Sequence, residues 1–175
     1  MDVNNFFIED ILSRHKNALG EHFQKYRNHV YRVFHYTTLL NKWEDEDKTK
    51  LAIAAAFHDI GLWTNNTLDY LSPSIVLANA YLEEKNLLDF SNDVEQIIDN
   101  HHKLTHYKKN LLAENFRQAD LMDLTSCILN FGVPHEQIRD IKKQFPSLGF
   151  KRFIFGQILL NFVKHPLTPL PIVKL

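Results

Sequence analysis

At residues 54–61 the chain reads AAAFHDIG, three alanines and a phenylalanine leading straight into a histidine and an aspartate. Neighbouring side chains on a helix point about 100° apart, so one face cannot hide both cheaply. A buried imidazole and carboxylate without partners are costly, whereas a divalent cation takes both into one coordination shell. His58 and Asp59 therefore read as metal ligands, the plainer reading being a hydrogen-bonded His–Asp pair without metal. Ala52, Ala54, Ala55 and Ala56 let their helix approach its neighbours closely, and Gly61 frees the backbone to end it and turn both side chains on one point.

Two distant segments offer further ligands. His29 sits at the edge of an apolar stripe through Phe23, Tyr26, Val30, Val33 and Phe34, and so faces inward; alone, it reads as a core histidine bonded to a carbonyl. Asp120 lies beside Leu112, Phe116, Ala119, Leu124, Cys127 and Ile128. An inward carboxylate on such a helix needs a cation or donors, with an ion pair to Arg117 as the alternative. Asp123, one turn on, reads as a solvated surface residue. His101 and His102 each follow an isoleucine, Ile97 and Ile98, by one turn and flank the apolar face of their own helix.

The order His29, His58-Asp59, Asp120 on a helical chain resembles the HD-domain superfamily of metal-dependent phosphohydrolases. The likeness runs from about residue 21 to 131 and includes His29-Val30-Tyr31-Arg32-Val33 as a first-ligand pattern and Ala119-Asp120 at its end. It implies that His29, His58, Asp59 and Asp120 bind one divalent ion and leave positions open for water and a phosphate oxygen. Mixed imidazole and carboxylate ligands permit Mn²⁺, Fe²⁺, Co²⁺, Ni²⁺, Zn²⁺ or Mg²⁺. Members that bind two metals complete the second site with paired histidines near positions 101–102 and another histidine between them and the HD pair. The intervening LSPSIVLANAYLEE has none here, so His101 and His102 are expected to act as donors behind the ligands, as phosphate contacts or as acids. Asp59 is expected to accept a proton from the attacking water, and Arg32, Lys103 and Arg117 to offset phosphate charge, with Asn65 a substrate contact on the rim. Three residues past Asp59, where some related nucleotidases carry glutamate and some cyclic-dinucleotide phosphodiesterases lysine, stands Leu62. That argues against carrying over either substrate. The expected activity is hydrolysis of a phosphate ester, nucleotides included. The alternatives are a di-iron oxygenase and an inactive module that binds metal or nucleotide.

Helices must position these residues. Helical spacing predicts eight, at 3–18, 21–43, 46–58, 73–86, 92–106, 111–131, 134–144 and 148–164, with no strand signal. The class is all-α, a multi-helix bundle forming one domain over 1–175, its motif-bearing core at 21–131 and its C-terminal helices and tail at 134–175. Ser72-Pro73 and Ser91 read as helix starts, and Gly132-Val133-Pro134 as the end of one helix and the beginning of the next. The stretch 61–72 is left as an irregular rim. From residue 165 a tail with three prolines is expected to be non-helical and to pack along the surface.

Composition narrows the function classes. A 45% hydrophobic content with 13 Phe supplies a core for 175 residues. A net charge of −1 leaves no electrostatic footprint for bulk nucleic acid, and no apolar run approaches the roughly 20 residues of a membrane span. One cysteine, Cys127, cannot make an internal disulfide, and MDVNNFFIEDILSRHK lacks the pattern of a secretory signal. A cytoplasmic protein acting on a small phosphorylated molecule is expected. The other histidines, His15, His22, His35, His106, His135 and His165, read as surface or packing residues.

Overall fold

The structure is a computed structural model and describes residues 4–164, 172 and 173. Among the described residues ten α-helices follow one another: α1 (Phe6–Arg14), α2 (Lys16–Leu19), α3 (Phe23–Leu40), α4 (Asp45–Phe57), α5 (Gly61–Thr64), α6 (Leu71–Glu84), α7 (Ser91–Asn100), α8 (Leu111–Leu124), α9 (His135–Gln144) and α10 (Phe150–Lys164). Among the described residues there is no β-strand, and no helix is long and apolar enough to cross a membrane.

The second half of α4 is the centre of the bundle. Every residue from Leu51 to Phe57 is buried, and the alanines keep the helix thin enough for α1, α3, α6, α7 and α8 all to reach it. Asp45, Glu46 and Asp47 in its first turn complement the helix dipole. The long α3 lies against both α4 and α8, and α7 fits between α4, α6 and α8. Side-chain caps fix two starts: Asn5 Oδ1 accepts from Phe7 N at 3.0 Å, and Asn110 Oδ1 from Ala113 N at 3.1 Å.

Several boundaries differ from expectation for physical reasons. The segment expected as one helix over 3–18 breaks at His15 into α1 and α2. The helix expected to run to 131 stops at Leu124, because Ser126 and Cys127 adopt left-handed φ values of 58° and 62° and Cys127 N turns back to Met122 O at 2.7 Å. The apolar pattern continues through Cys127 only because that turn is itself packed on the core. Likewise α7 ends at Asn100, not 106, where Lys103 N closes a turn on Asn100 O. Ser91 is not a cap: it is the first helical residue, and its hydroxyl donates to Asn79 Oδ1 at 2.8 Å, tying α7 to α6. Ser72 lies inside the first turn of α6, which begins at Leu71. The rim stretch is partly helical, since α5 starts at Gly61 itself. The three prolines expected in a non-helical tail lie outside the described residues; of that tail, Ile172 is buried against Leu62, Tyr70 and Leu71.

Candidate metal centre

Four elements converge near the C-terminal end of α4. Helix α3 carries His29 and Arg32; the turn after α4 carries His58 and Asp59; the turn after α7 carries His101 and His102; and α8 carries Asp120 and Asp123. Each of the pairs 29/32 and 120/123 is one turn apart on its own helix, so each presents both members to the facing helix.

Hydrogen bonds behind the cluster set the imidazole tautomers. Asp123 is gripped by Arg32, whose Nε donates to Oδ1 at 2.6 Å and whose second terminal nitrogen donates to Oδ2 at 2.8 Å. That carboxylate is therefore ionised, its pKa driven far down by Arg32 and His29 against the opposing effect of burial. It can only accept, so His29 Nδ1–H donates to it, at 2.8 Å. Carbonyls also only accept, so His58 Nδ1–H donates to Ala55 O and His101 Nδ1–H to Ile98 O, both at 2.7 Å. All three rings are thus left with Nε2 directed at Asp59, and those of His29 and His58 at Asp120 as well.

The inward atoms lie at the spacings a shared ion requires. His29 Nε2 is 3.0 Å from His58 Nε2, 3.6 Å from Asp59 Oδ2 and 3.5 Å from Asp120 Oδ1; His58 Nε2 is 3.3 Å from Asp59 Oδ2 and 3.9 Å from Asp120 Oδ1. Atoms each about 2.1 Å from one ion stand about 3.0–4.2 Å apart, so the residues fit a divalent cation. Two bare imidazole nitrogens at 3.0 Å repel unless a proton or a metal lies between them. Without metal, a proton takes that place: burial opposes charge on His29, yet the Asp123 hydrogen bond and the nearby carboxylates raise its pKa from 6.5 to about 9. Burial likewise favours protonated Asp59, but the imidazoles of His58, His101 and His29 beside it hold it well below the usual carboxylate range. Asp120 moves upward, through burial first and its proximity to Asp59 as well.

A further ligand-capable set adjoins the first. His101 Nε2 lies 3.3 Å from Asp59 Oδ1, and His102 Nδ1 lies 3.9 Å from Asp120 Oδ2. Asp59 Oδ1 and His101 Nε2 are buried, and neither has a hydrogen-bond partner. His102 Nε2 shares a 2.6 Å hydrogen bond with the Tyr70 hydroxyl. Burial, then the neighbouring His101, keep His102 neutral by lowering its pKa well below 6.5.

Beside the cluster opens a cavity of about 190 Å³ lined by His29, Asp59, His102 and Asp120 at one end. Among the described residues, none of the four expected substrate contacts lines it. Arg32 spends its donors on Asp123 and on Phe145 O at 2.9 Å. Arg117 forks onto Glu114 at 2.8 and 2.7 Å and donates to Lys103 O, so it does not pair with Asp120. Lys103 borders a separate open groove with Glu95 and Gln96, and Asn65 is exposed, accepting from the Thr64 hydroxyl. The cation on the cavity wall is instead Lys151, whose Nζ donates to Ser126 Oγ at 2.6 Å. Asp123, expected in solvent, is 2% exposed; the matching spacings 29/32 and 120/123 were the signal for it. Phe150, also unanticipated, stacks on the His29 ring at 4.2 Å, and no spacing in the sequence pointed to it, because it arrives from a distant helix.

Comparison with curated proteins and with solved structures gave no match. A family model described as HD domain matches residues 26–128. That span is more than half of the 175 residues and contains every histidine and aspartate of the cluster, so the chain belongs to the HD domain family.

Proposed function

We propose that the chain is a metal-dependent phosphohydrolase that cleaves a phosphate ester with water at the His29, His58, Asp59 and Asp120 cluster. One observation carries the reading: three buried imidazoles commit Nδ1 to acceptors behind them and turn Nε2 on the carboxylate of Asp59. When bound, a divalent ion supplies Lewis-acid polarisation of a phosphoryl oxygen and lowers the pKa of water toward neutrality. In this reading water adds to phosphorus, the ester P–O bond breaks, and alcohol and inorganic phosphate leave. Asp59, kept ionised, accepts the water proton and returns it to the departing alcohol oxygen. His101, off the cavity wall, holds Asp59 in place, while neutral His102 on the wall gives a hydrogen bond to phosphate. Lys151 offsets charge there in place of Arg32, Lys103 or Arg117. The substrate is a small phosphorylated molecule, and the setting is the cytoplasm, where a lone thiol such as Cys127 stays reduced.

The test joins elemental analysis to a screen of phosphomonoesters and phosphodiesters. Protein reloaded with metal is expected to hydrolyse at least one of them. His58→Ala and Asp120→Ala should lose metal and turnover together while keeping the helical circular dichroism of the parent. Metal-stripped protein as active as the reloaded form contradicts the reading. A second reading, a di-iron oxygenase, draws on the additional set His101, His102 and Asp120; two irons per chain and substrate-dependent O₂ uptake would select it.

A further inference from the structure

The cavity has two unlike ends. Its polar end is the ligand cluster, and beyond it the wall is Leu62, Leu68, Leu124, Phe150, Ile154 and Ile158. The polar side chains outside the cluster on that wall are already engaged, Tyr70 with His102 and Lys151 with Ser126. Among the described lining residues beyond the cluster there is no Asn, Gln, Ser, Thr or carboxylate to read a polar ligand. A nucleobase or sugar placed there would lose hydrogen bonds to water and find no replacements. Hydrocarbon placed there leaves water for a matching surface. The size is of the same order as a small hydrocarbon needs: a cavity of about 150 Å³ walled by Leu, Ile and Phe holds benzene, and this one, partly open, is about 190 Å³, its polar end included.

We infer that the site takes the phosphate monoester of an apolar alcohol, alkyl or aryl, of about six carbons, with phosphate at the cluster and hydrocarbon against Leu68, Phe150 and Ile154. The inference rests on the phosphohydrolase reading for its phosphate and on the wall for its alcohol, and the two can be tested apart. Leu62 and Leu68 reach the wall from α5 and the loop after it, while Phe150, Ile154 and Ile158 come from α10. Most of the apolar wall therefore comes from segments that supply no ligand to the cluster, with Leu124 contributed by the ligand-bearing α8.

The experiment has a kinetic and a binding arm, both on metal-loaded protein. Ethyl, butyl, hexyl and phenyl phosphate are compared with adenosine monophosphate as substrates. Methyl- and hexylphosphonate, whose P–C bond resists hydrolysis, are compared by calorimetry. The kinetic expectation is a rise in kcat/KM of about fourfold per methylene up to hexyl, with phenyl phosphate near hexyl and the nucleotide far below both. Hexylphosphonate should bind at least about a hundredfold tighter than methylphosphonate. Ile154→Asn and Leu68→Asn should flatten both trends; Leu68 is a half-buried loop residue, so its variant informs even if the helix variant fails to fold. Equal binding of the two phosphonates, or a nucleotide turned over faster than hexyl phosphate, overturns the substrate class. Tight hexylphosphonate binding with no ester of any length hydrolysed upholds the apolar subsite and overturns the phosphohydrolase reading alone.

Discussion

His29 does its work through two atoms on opposite sides of one ring. Nδ1–H is fixed by Asp123, and Nε2 is thereby freed for the cluster. Removing the acceptor should loosen the ring without touching a ligand atom: Asp123→Ala is expected to weaken metal binding by about 10–100-fold, measured by calorimetric titration with Mn²⁺ or Zn²⁺. An unchanged affinity would mean that His29 is oriented by its stacking on Phe150 alone. Removing the other partner exposes a different cost. Arg32→Ala leaves the buried Asp123 without its two guanidinium donors, the His29 Nδ1–H still in place, and should lower the stability of metal-free protein by about 3 kcal/mol in chemical denaturation; a loss well under that would show that His29 or water compensates the carboxylate. At this scale the sequence was partly readable. His58 and Asp59 stand out because two polar groups interrupt an apolar run. Asp123 and Arg32 do not, because their pairing crosses between helices and a single helical wheel displays only one partner.

Among the elements, the turn from α4 into α5 aims His58 and Asp59, and Gly61 sits in it. Its φ is not left-handed, so the freedom expected of glycine is not what the position needs. The need is closeness: a Cβ there would meet Tyr70 O at 2.6 Å and Ser74 Oγ at 3.0 Å, and the Gly61 amide donates to that hydroxyl. Gly61→Ala should therefore push the start of α6 away and cost about 1–3 kcal/mol, read as a lowered thermal midpoint. Because Tyr70 also bonds His102, chemical shifts of the His102 ring should move in the same variant. A variant as stable as the parent would show that the segment around Tyr70 yields freely. Helix existence was readable throughout from spacing, but helix ends were not. Ser126 and Cys127 take left-handed conformations without being glycine, and nothing in their side chains announces it.

For the whole molecule, the all-α class follows from helical periodicity and from the shortage of strand signals, and both survive in the structure. What local pattern could not supply is which helix lies at the centre. The alanines of α4 hint at it, and only the packing of five helices around them decides it. Global stability carries a pH signature from the same core. His35 is packed among the rings of Tyr31, Phe34 and Phe145, and its Nε2 has no hydrogen-bond partner. Burial lowers its pKa from 6.5 to about 4. The unfolded chain therefore takes up this proton at higher pH than the folded one, so the contribution to stability is full above pH 6.5 and is lost as pH falls toward 4. Up to about 3 kcal/mol is at stake over that window. His35→Phe should lose less stability than the parent between pH 7 and pH 4.5 in urea titrations. Parallel losses would place the acid sensitivity elsewhere.

The most direct measurement of the central claim is an anomalous difference map from crystals grown with Mn²⁺. The account predicts one strong peak about 2.0–2.3 Å from His29 Nε2, His58 Nε2, an oxygen of Asp59 and an oxygen of Asp120. A map with no peak inside that ring of side chains, or with manganese bound only at the surface, contradicts it.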